Sequence, residues 1–320
     1  MCRRFILFIF LFFVSLKATA NLIDDFKAWE DKVFYNQDTN YVKVIPREFS
    51  VKMTSSSWMD FYQVNQNRRP LLRMRSDLIS GVAASVGYGI FSLSYSVGVN
   101  RYFSNKDYDC RRFDFNMCWN KISMEFGYAR NESDRTIFSY GDDDSDESIP
   151  YSGLRVNMYK ARILYFFNNK RYSNDAIYSD FYRLRQVHSV GSFIAGVSYA
   201  YHDMKLDLSR LPLYIELPDE TSHYEYYDYC VNVGYGYNLV FAKGWLLNFT
   251  IIPELGCKVN DSYEREYQFA INNTTKLSLL YNHERYFSGL SCQYDSYWIL
   301  DGSRVESSIA TFNLFVGMRF

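Results

Sequence analysis

Hydrophobic and polar residues alternate along residues 307–320, at the end of the chain. Apolar side chains occupy the even positions from Ala310 to Phe320, and Thr311, Asn313 and Arg319 lie between them. A period of two residues predicts a β-strand. Because the alternation continues to the last residue, nothing caps the edge that a soluble sheet would have to protect, and the pattern favours a closed barrel. The alternative is the last strand of a soluble β-sandwich.

The same period recurs from residue 41 onwards and predicts about twelve strands, long enough for the ~9–11 residues that a tilted strand needs to cross hydrocarbon. Charged residues fall on one of the two rows only. A Lys or Arg facing lipid at mid-depth costs ~2–4 kcal/mol, so this segregation is what a bilayer imposes. We therefore predict an all-β fold, a transmembrane antiparallel β-barrel over residues 41–320. Its predicted lumen-lining residues are Arg112, Asp114, Glu125, Lys160, Arg162, His202, Glu254, Lys258 and Asp295.

Connections between the predicted strands should alternate between long external loops and short periplasmic turns. The expected external loops are residues 54–71, 103–109, 131–152, 203–223, 260–267 and 301–302, and the expected turns are 87–89, 120–121, 242–244 and 282–285. Residues 168–187 break this rule, because they form a long connection on the periplasmic side. Long loops in compact structures are often functional, which makes this segment a candidate site.

Aromatic residues are abundant, with 30 Tyr and 26 Phe, as expected if they form girdles at both membrane interfaces. The mean hydropathy of −0.27 excludes a helical membrane protein but suits a barrel, in which polar and apolar residues alternate. The net charge of −1 gives no reason to expect a nucleic acid as a partner.

The first twenty residues have the features of an export signal: Arg3 and Arg4, an apolar run over 5–16, and small residues up to Ala20. We predict a signal peptide over residues 1–20, cleaved near Ala20, and a periplasmic segment over 21–40. A retained anchor helix is the alternative, but the run is shorter than the ~20 residues that span a bilayer.

Five cysteines remain after cleavage, and none has the spacing of a metal or redox motif. The four histidines share no metal spacing either. We therefore predict neither a cofactor nor a bound metal.

The predicted lumen residues carry both signs of charge, which leaves two interpretations open. They either neutralise one another in a filled interior or line a polar pathway for a small solute. His202 adds a third possibility, because a twelve-stranded outer-membrane phospholipase uses a histidine with a serine. No serine follows His202 at the expected spacing, so a lumenal hydrogen-bonding role is the alternative.

Four basic residues, Lys170, Arg171, Arg183 and Arg185, mark the long connection over 168–187. This segment either folds back as a plug, or docks a periplasmic partner or peptidoglycan, or is a structured turn that seals the inner mouth. Nothing in the sequence separates these possibilities.

The chain resembles an uncharacterised family of outer-membrane barrels from Gram-negative bacteria, a domain of unknown function. The resemblance covers most of the chain from Asp38 onwards, and the residues that carry it are Asp38-Thr39-Asn40-Tyr41, Trp58, Tyr62, Phe167-Asn168-Asn169-Lys170-Arg171-Tyr172-Ser173, Gly191-Ser192, Gly196, Ser198-Tyr199 and His202. It implies the barrel fold and an outer-membrane location but no activity.

From these observations we predict an outer-membrane protein without catalytic activity, with a porin-like role in small-solute passage or a role in envelope organisation. A lipid-acting enzyme of the phospholipase type is the alternative. The expected partners are outer-membrane lipid, lipopolysaccharide and, because the terminal aromatic Phe320 resembles the end of bacterial outer-membrane proteins, the barrel assembly machinery.

Overall fold

The computed structural model describes residues 28–29, 32–66, 69–88, 91–99, 110–140, 148–178, 183–212, 215, 222–261, 266–299 and 305–320. The predicted signal peptide lies outside these residues. The strands are β1 Val42–Val44, β2 Phe49–Gln66, β3 Arg69–Ser76, β4 Ile79–Tyr88, β5 Phe91–Gly98, β6 Cys110–Cys118, β7 Ile122–Asn131, β8 Arg135–Tyr140, β9 Ile149–Tyr151, β10 Leu154–Phe166, β11 Leu184–Gln186, β12 Val190–Leu206, β13 His223–Ala242, β14 Trp245–Asn260, β15 Glu266–Asn282, β16 Tyr286–Ile299 and β17 Val305–Arg319. A short helix, α1, covers Asp175–Tyr178, and a 3₁₀ turn covers Leu208–Arg210.

Several strands lie end to end along one path across the barrel wall. β2 pairs first with β4 and then with β3, and only residues 77–78 separate those two strands. β7 continues into β8, and β9 into β10, in the same way. Counting each such pair once, and setting aside β1 and β11, the described residues make twelve crossings of the wall. This count of the described strands is roughly consistent with the predicted number of about twelve.

The pairing is antiparallel throughout and returns to its start. It runs from β7 through β10, β12, β13, β14, β15, β16 and β17 to β2, and then through β3 to β8, the continuation of β7. Three further strands lie off this path. β4 pairs with β2, β5 pairs with β4, and β6 pairs with β7. Within the described residues, β5 and β6 are not paired with each other. The ring is therefore narrower where β3 meets β8 than where β5 and β6 take part.

The two ends of the barrel differ. At the terminal end, where β2 begins and β17 finishes, tight turns join β6 to β7, β13 to β14 and β15 to β16, and the long connection from β10 to β12 lies at the same end. Gly244 makes one of these turns with a φ of 83°, a left-handed conformation that side chains disfavour. Phe49 and Phe320 lie beside each other there, with ring centroids 5.6 Å apart. The opposite end, with the longer connections, is called the loop end below.

The wall is apolar outside and polar inside. On β13, Val231 and Val233 expose 60% and 62% of their surface, whereas Asn232 between them is fully buried. Soluble monomers rarely expose large continuous apolar patches, so lipid is the solvent that this face requires. The structure confirms the transmembrane antiparallel barrel that the alternation predicts. Among the described residues, no helix has the length and apolar character needed to cross a membrane.

Several of the predicted external loops contain residues that are strands in the structure. Residues 54–71 were expected to form a loop, but β2 extends to Gln66 and β3 begins at Arg69. The period of two is hidden here because Tyr62 and Val64 point inward and are buried, so that apolar residues occur on both faces. Parts of the predicted loops 131–152 and 203–223 are likewise strands β8, β9 and the end of β12.

A lysine on the outer face tests this assignment. Val231→Lys should lower the free energy of unfolding by about 2–4 kcal/mol, because it places an ammonium group in hydrocarbon. Denaturant titration of the chain refolded into lipid vesicles measures the loss. Val231→Leu is the matched control and should cost less than about 1.5 kcal/mol. A lysine variant as stable as wild type would show that lipid does not cover this face.

Candidate functional site

The centre of the barrel holds a compact network of buried charges. The Arg162 guanidinium on β10 donates to the Glu125 carboxylate, Nη1 to Oε2 at 3.1 Å, and forms a closer ion pair with Glu254. Its Nη2 also donates to Thr274 Oγ1 at 2.7 Å. Lys276 binds the other oxygen of Glu125, Nζ to Oε1 at 2.6 Å. One guanidinium thus holds two carboxylates that come from opposite parts of the wall.

A second ion pair extends this network. Lys160 Nζ lies 3.2 Å from Asp295 Oδ2, although β10 and β16 are five strands apart along the wall. Thr274 Oγ1 donates to Asp295 Oδ1 at 2.6 Å and so joins the second pair to the first. The central network, defined as Glu125, Lys160, Arg162, Glu254, Lys276 and Asp295, contains three charges of each sign. Its ion pairs therefore span the lumen, and the positive and negative charges in them neutralise one another.

A further pair lies nearer the loop end. Lys258 binds Asp228 at 2.9 Å, and its ammonium group stands 3.6 Å from the centre of the Tyr226 ring. His202 stacks on the same tyrosine, with ring centroids 4.5 Å apart, and meets Tyr297 edge to face. Its Nε2 has no hydrogen-bond partner among the described residues. The histidine is thus a packed ring between two tyrosines.

Two more of the predicted lumen residues, besides His202 and Lys258, lie outside the central network. Arg112 and Asp114, both on β6, form an ion pair with each other at 2.5 Å. The Asp114 side chain is 37% exposed, in contrast to the buried acids of the central network. Arg112 also donates to Thr311 Oγ1 of β17 at 2.9 Å and so reaches across the lumen.

The long connection folds into the mouth of the barrel at the terminal end. We call its described residues, 168–178 and 183–187, the plug segment. Tyr172 is fully buried, and Ile177 at the tip packs in an apolar cluster with Phe166, Leu246 and Phe287. The cluster belongs to the inner face of the barrel wall, so the segment occupies the lumen.

Specific polar contacts hold the plug segment in place. The Tyr178 hydroxyl donates to Asn248 Oδ1 at 2.6 Å, and Asn248 Nδ2 donates to the Tyr172 hydroxyl at 3.4 Å. Burial raises the pKa of both phenols, which keeps them neutral hydrogen-bonding groups. At Gly236 a Cβ atom would lie 2.5 Å from the Tyr172 hydroxyl, so this close approach requires glycine.

The basic residues of the plug segment bind the N-terminal segment. Lys170 donates to the carbonyl of Asn36 at 2.8 Å, and the Arg171 guanidinium lies over the Tyr41 ring. Arg183 donates to the Tyr35 hydroxyl at 2.8 Å. β1 pairs with β11, which places Lys43 opposite Arg185. Residues 35–44 and the plug segment therefore form one structure that covers the terminal end.

A cleft lies at the loop end, on the outer side of the wall. Its volume is about 520 Å³, and its lining includes Glu132, Asp134, Arg155, Lys205, Asp207 and Arg210. Arg155 binds Glu132 at 2.8 Å, and Arg210 binds Asp207 at 2.9 Å. Hydrogen bonds from Ser209 and the nearby Arg210 lower the pKa of Asp207.

Sequence reasoning missed Lys276 and Asp228, which hold two of the predicted lumen residues. The alternation could have found both, since each lies on the polar row of its strand. It could not have found the buried tyrosines of the plug segment, because they lie outside any periodic stretch. No cluster of three or more potential metal ligands occurs among the described residues.

The antiparallel fold and its apolar outer face define a transmembrane β-barrel. Residues 36–320 match a protein family described as a domain of unknown function, DUF4421, and the chain belongs to this family. The comparison with curated proteins gives no match.

Several solved structures of outer-membrane proteins are similar to the chain. The protease OmpT from Escherichia coli has 7% identity and a TM-score of 0.38, with 88% of this chain and 100% of that chain covered. OprG from Pseudomonas aeruginosa has 9% identity and a TM-score of 0.26, with coverages of 86% and 96%. An outer-membrane channel from Pseudomonas putida F1 has 8% identity and a TM-score of 0.32, with coverages of 89% and 99%. At such low scores these similarities carry no argument about function.

Removing the central guanidinium tests the role of the network. Arg162→Ala should lower the free energy of unfolding by about 3–5 kcal/mol, because it leaves buried carboxylates without their partner. Arg155→Ala removes an arginine that is 56% exposed and should cost at most about 1 kcal/mol. Denaturant titration in the same vesicles compares the two. Equal losses would mean that the central network does not stabilise the barrel.

Proposed function

We propose that this protein is a non-conducting, non-catalytic barrel of the outer membrane that contributes to envelope organisation. The observation that carries the proposal is the set of side-chain contacts across the lumen. Lys160 reaches Asp295, and Lys276 reaches Glu125, in each case between strands five places apart in the pairing order. A conducting pore needs a continuous polar path, and these ion pairs occupy its position.

Other layers obstruct the lumen on both sides of the central network. Towards the terminal end, the plug segment packs with Leu164, Ile194 and Leu280 of the wall. Towards the loop end, one apolar cluster joins Tyr62 of β2 to Tyr226 of β13, which is on the opposite side of the ring. Apolar constrictions exclude water and ions. Three obstructions in series therefore favour a structural role over an open porin.

Gated passage of a small polar solute is a second candidate, and one observation favours it. A cavity of about 280 Å³ lies between the plug segment and the central network. Its lining is rich in hydroxyl and amide groups and includes Lys52, Ser85, Asn116, Tyr178 and Asn313. A displaced plug would connect this cavity to the terminal end, which the sequence predicts to face the periplasm.

Planar-bilayer recording separates these two roles. We expect no conductance steps from the refolded wild-type chain or from a variant that lacks residues 174–178, because the network and the loop-end cluster still obstruct the lumen. A general porin in the same bilayer is the positive control. Steps from the shortened variant alone would support gated passage, and steps from wild type would overturn the proposal.

A lipid-acting enzyme is the remaining alternative, and the surroundings of His202 give it little support. A general base must reach a nucleophile or a substrate proton. His202 is only 1% exposed and packs between Tyr226 and Tyr297. Its Nε2 atom has no hydrogen-bond partner in the described part of the chain, so no serine or other nucleophile donates a hydrogen bond to it there. A phospholipid molecule has no path to this ring while the tyrosines remain in place.

An assay of fatty-acid release from phospholipid micelles tests this alternative. The refolded chain should show no release above that of micelles alone, with or without Ca²⁺. His202→Asn serves as the matched variant and should give the same result. Hydrolysis by wild type that His202→Asn abolishes, while the variant still refolds, would establish the enzyme and refute the non-catalytic proposal.

A further inference from the structure

A row of tyrosines marks one boundary of the apolar band. Tyr128, Tyr159, Tyr201 and Tyr227 lie side by side on β7, β10, β12 and β13, with successive ring centroids 4.8, 6.0 and 5.0 Å apart. They project outward, towards the loop end of the wall. Tyrosine is enriched where hydrocarbon meets the lipid headgroups, because its ring is apolar and its hydroxyl is polar. The row therefore fixes the level of the headgroups on this side.

The 520 Å³ cleft at the loop end lies beyond this row. Arg155 precedes Tyr159 by four residues on β10, and Lys205 follows Tyr201 by four residues on β12. The two are directly paired across these strands. At roughly 3.3 Å per residue, four residues place them about 13 Å beyond the tyrosine row, before strand tilt is considered. The cleft thus lies outside the hydrocarbon, on the solvent side of the tyrosine row.

The charges of the cleft suit a phosphorylated sugar. Arg155 and Arg210 each direct the Nε–H group to a carboxylate, and both side chains are more than half exposed. The ammonium group of Lys205 has no ion-pair partner among the described residues and is exposed. Guanidinium and ammonium groups bind phosphate, and carboxylates such as Glu132 and Asp207 accept hydrogen bonds from hydroxyl groups.

We propose that this cleft binds the phosphorylated sugar headgroup of a glycolipid in the adjacent membrane leaflet. Arg155 and Lys205 contact the phosphate, while the carboxylates orient the sugar hydroxyls. The cleft is of a size typical of small-molecule sites and opens outward, where a membrane-embedded headgroup reaches it. The inference deepens the proposed envelope role and rests on its membrane placement, but not on the sealed lumen.

Binding of a bisphosphorylated disaccharide glycolipid to the refolded full-length mature chain in detergent micelles tests the proposal. Isothermal titration compares wild type with a double variant, Arg155→Gln with Lys205→Gln. We expect the double variant to bind about tenfold or more weakly, because it lacks two cations at the headgroup level. Lys243→Gln, a lysine in the turn between β13 and β14 at the other end, is the matched control and should bind like wild type.

Two further ligands identify what the cleft recognises. The dephosphorylated glycolipid should bind about tenfold or more weakly than the intact one. Equal binding of these two lipids, or of wild type and the double variant, would overturn the proposal. Water-soluble glucosamine phosphate that binds as tightly as the glycolipid would overturn the lipid source and assign the cleft to a free sugar phosphate.

Conductance recordings of the same double variant keep this inference separate from the proposed function. The substitutions lie outside the lumen, so a silent bilayer with weakened glycolipid binding supports both. If wild type conducts and the double variant still binds glycolipid weakly, the sealed lumen is refuted and the headgroup site stands. If the bilayer is silent and the double variant binds glycolipid as tightly as wild type, the headgroup site is refuted and the sealed lumen stands.

Discussion

Hydrocarbon around the wall is the constraint on which the rest of this structure depends. It requires apolar side chains on the outer row of every strand, and the period of two then sends polar side chains to the lumen. A lumen this narrow cannot supply bulk water to each charge, and an unpaired buried charge is costly. The ion pairs of Arg162, Lys160 and Lys276 follow from that cost, because each cation finds a carboxylate from a distant strand.

The topology determines where the barrel must be filled and by what. Barrel diameter increases with the number of strands. Near the loop end, pairing of β3 with β8 bypasses β5 and β6, and the narrower ring is filled by side chains of the wall itself, such as Leu72, Ile137 and Met204. Near the terminal end, β5 and β6 add to the wall, and side chains of the wall alone do not fill the interior. The plug segment supplies the missing volume there, with Tyr172 and Ile177 in the core.

The sequence predicts the parts of this design that are periodic. Alternation identified the barrel, the outer face and the inward charges, because lipid allows no exceptions near mid-depth. The segment over 168–187 was recognisable as an anomaly from its length, but the sequence could not say that Tyr172 fits against Gly236, since that contact joins distant parts of the chain. The sequence predicted strand ends too early where both faces of the strand are apolar, as at Tyr62 and Val64 of β2. The alternation places Lys276 on the polar row, but its pairing with Glu125 required knowledge of which strands face each other across the lumen.

The division between inside and outside also decides where this protein can interact with other molecules. The central network contains equal numbers of both charges, all committed to one another, so it offers little attraction to a passing ion. In the plug segment, Lys170, Arg171 and Arg183 contact Asn36, Tyr41 and Tyr35 of the same chain, so these three basic side chains are engaged at the terminal end. The exposed cations at the loop end, Arg155 and Lys205, lie instead on the outer wall, beyond the tyrosine row. Arg155 and Lys205 are therefore available to other molecules at the membrane surface, as the proposed role in the envelope requires.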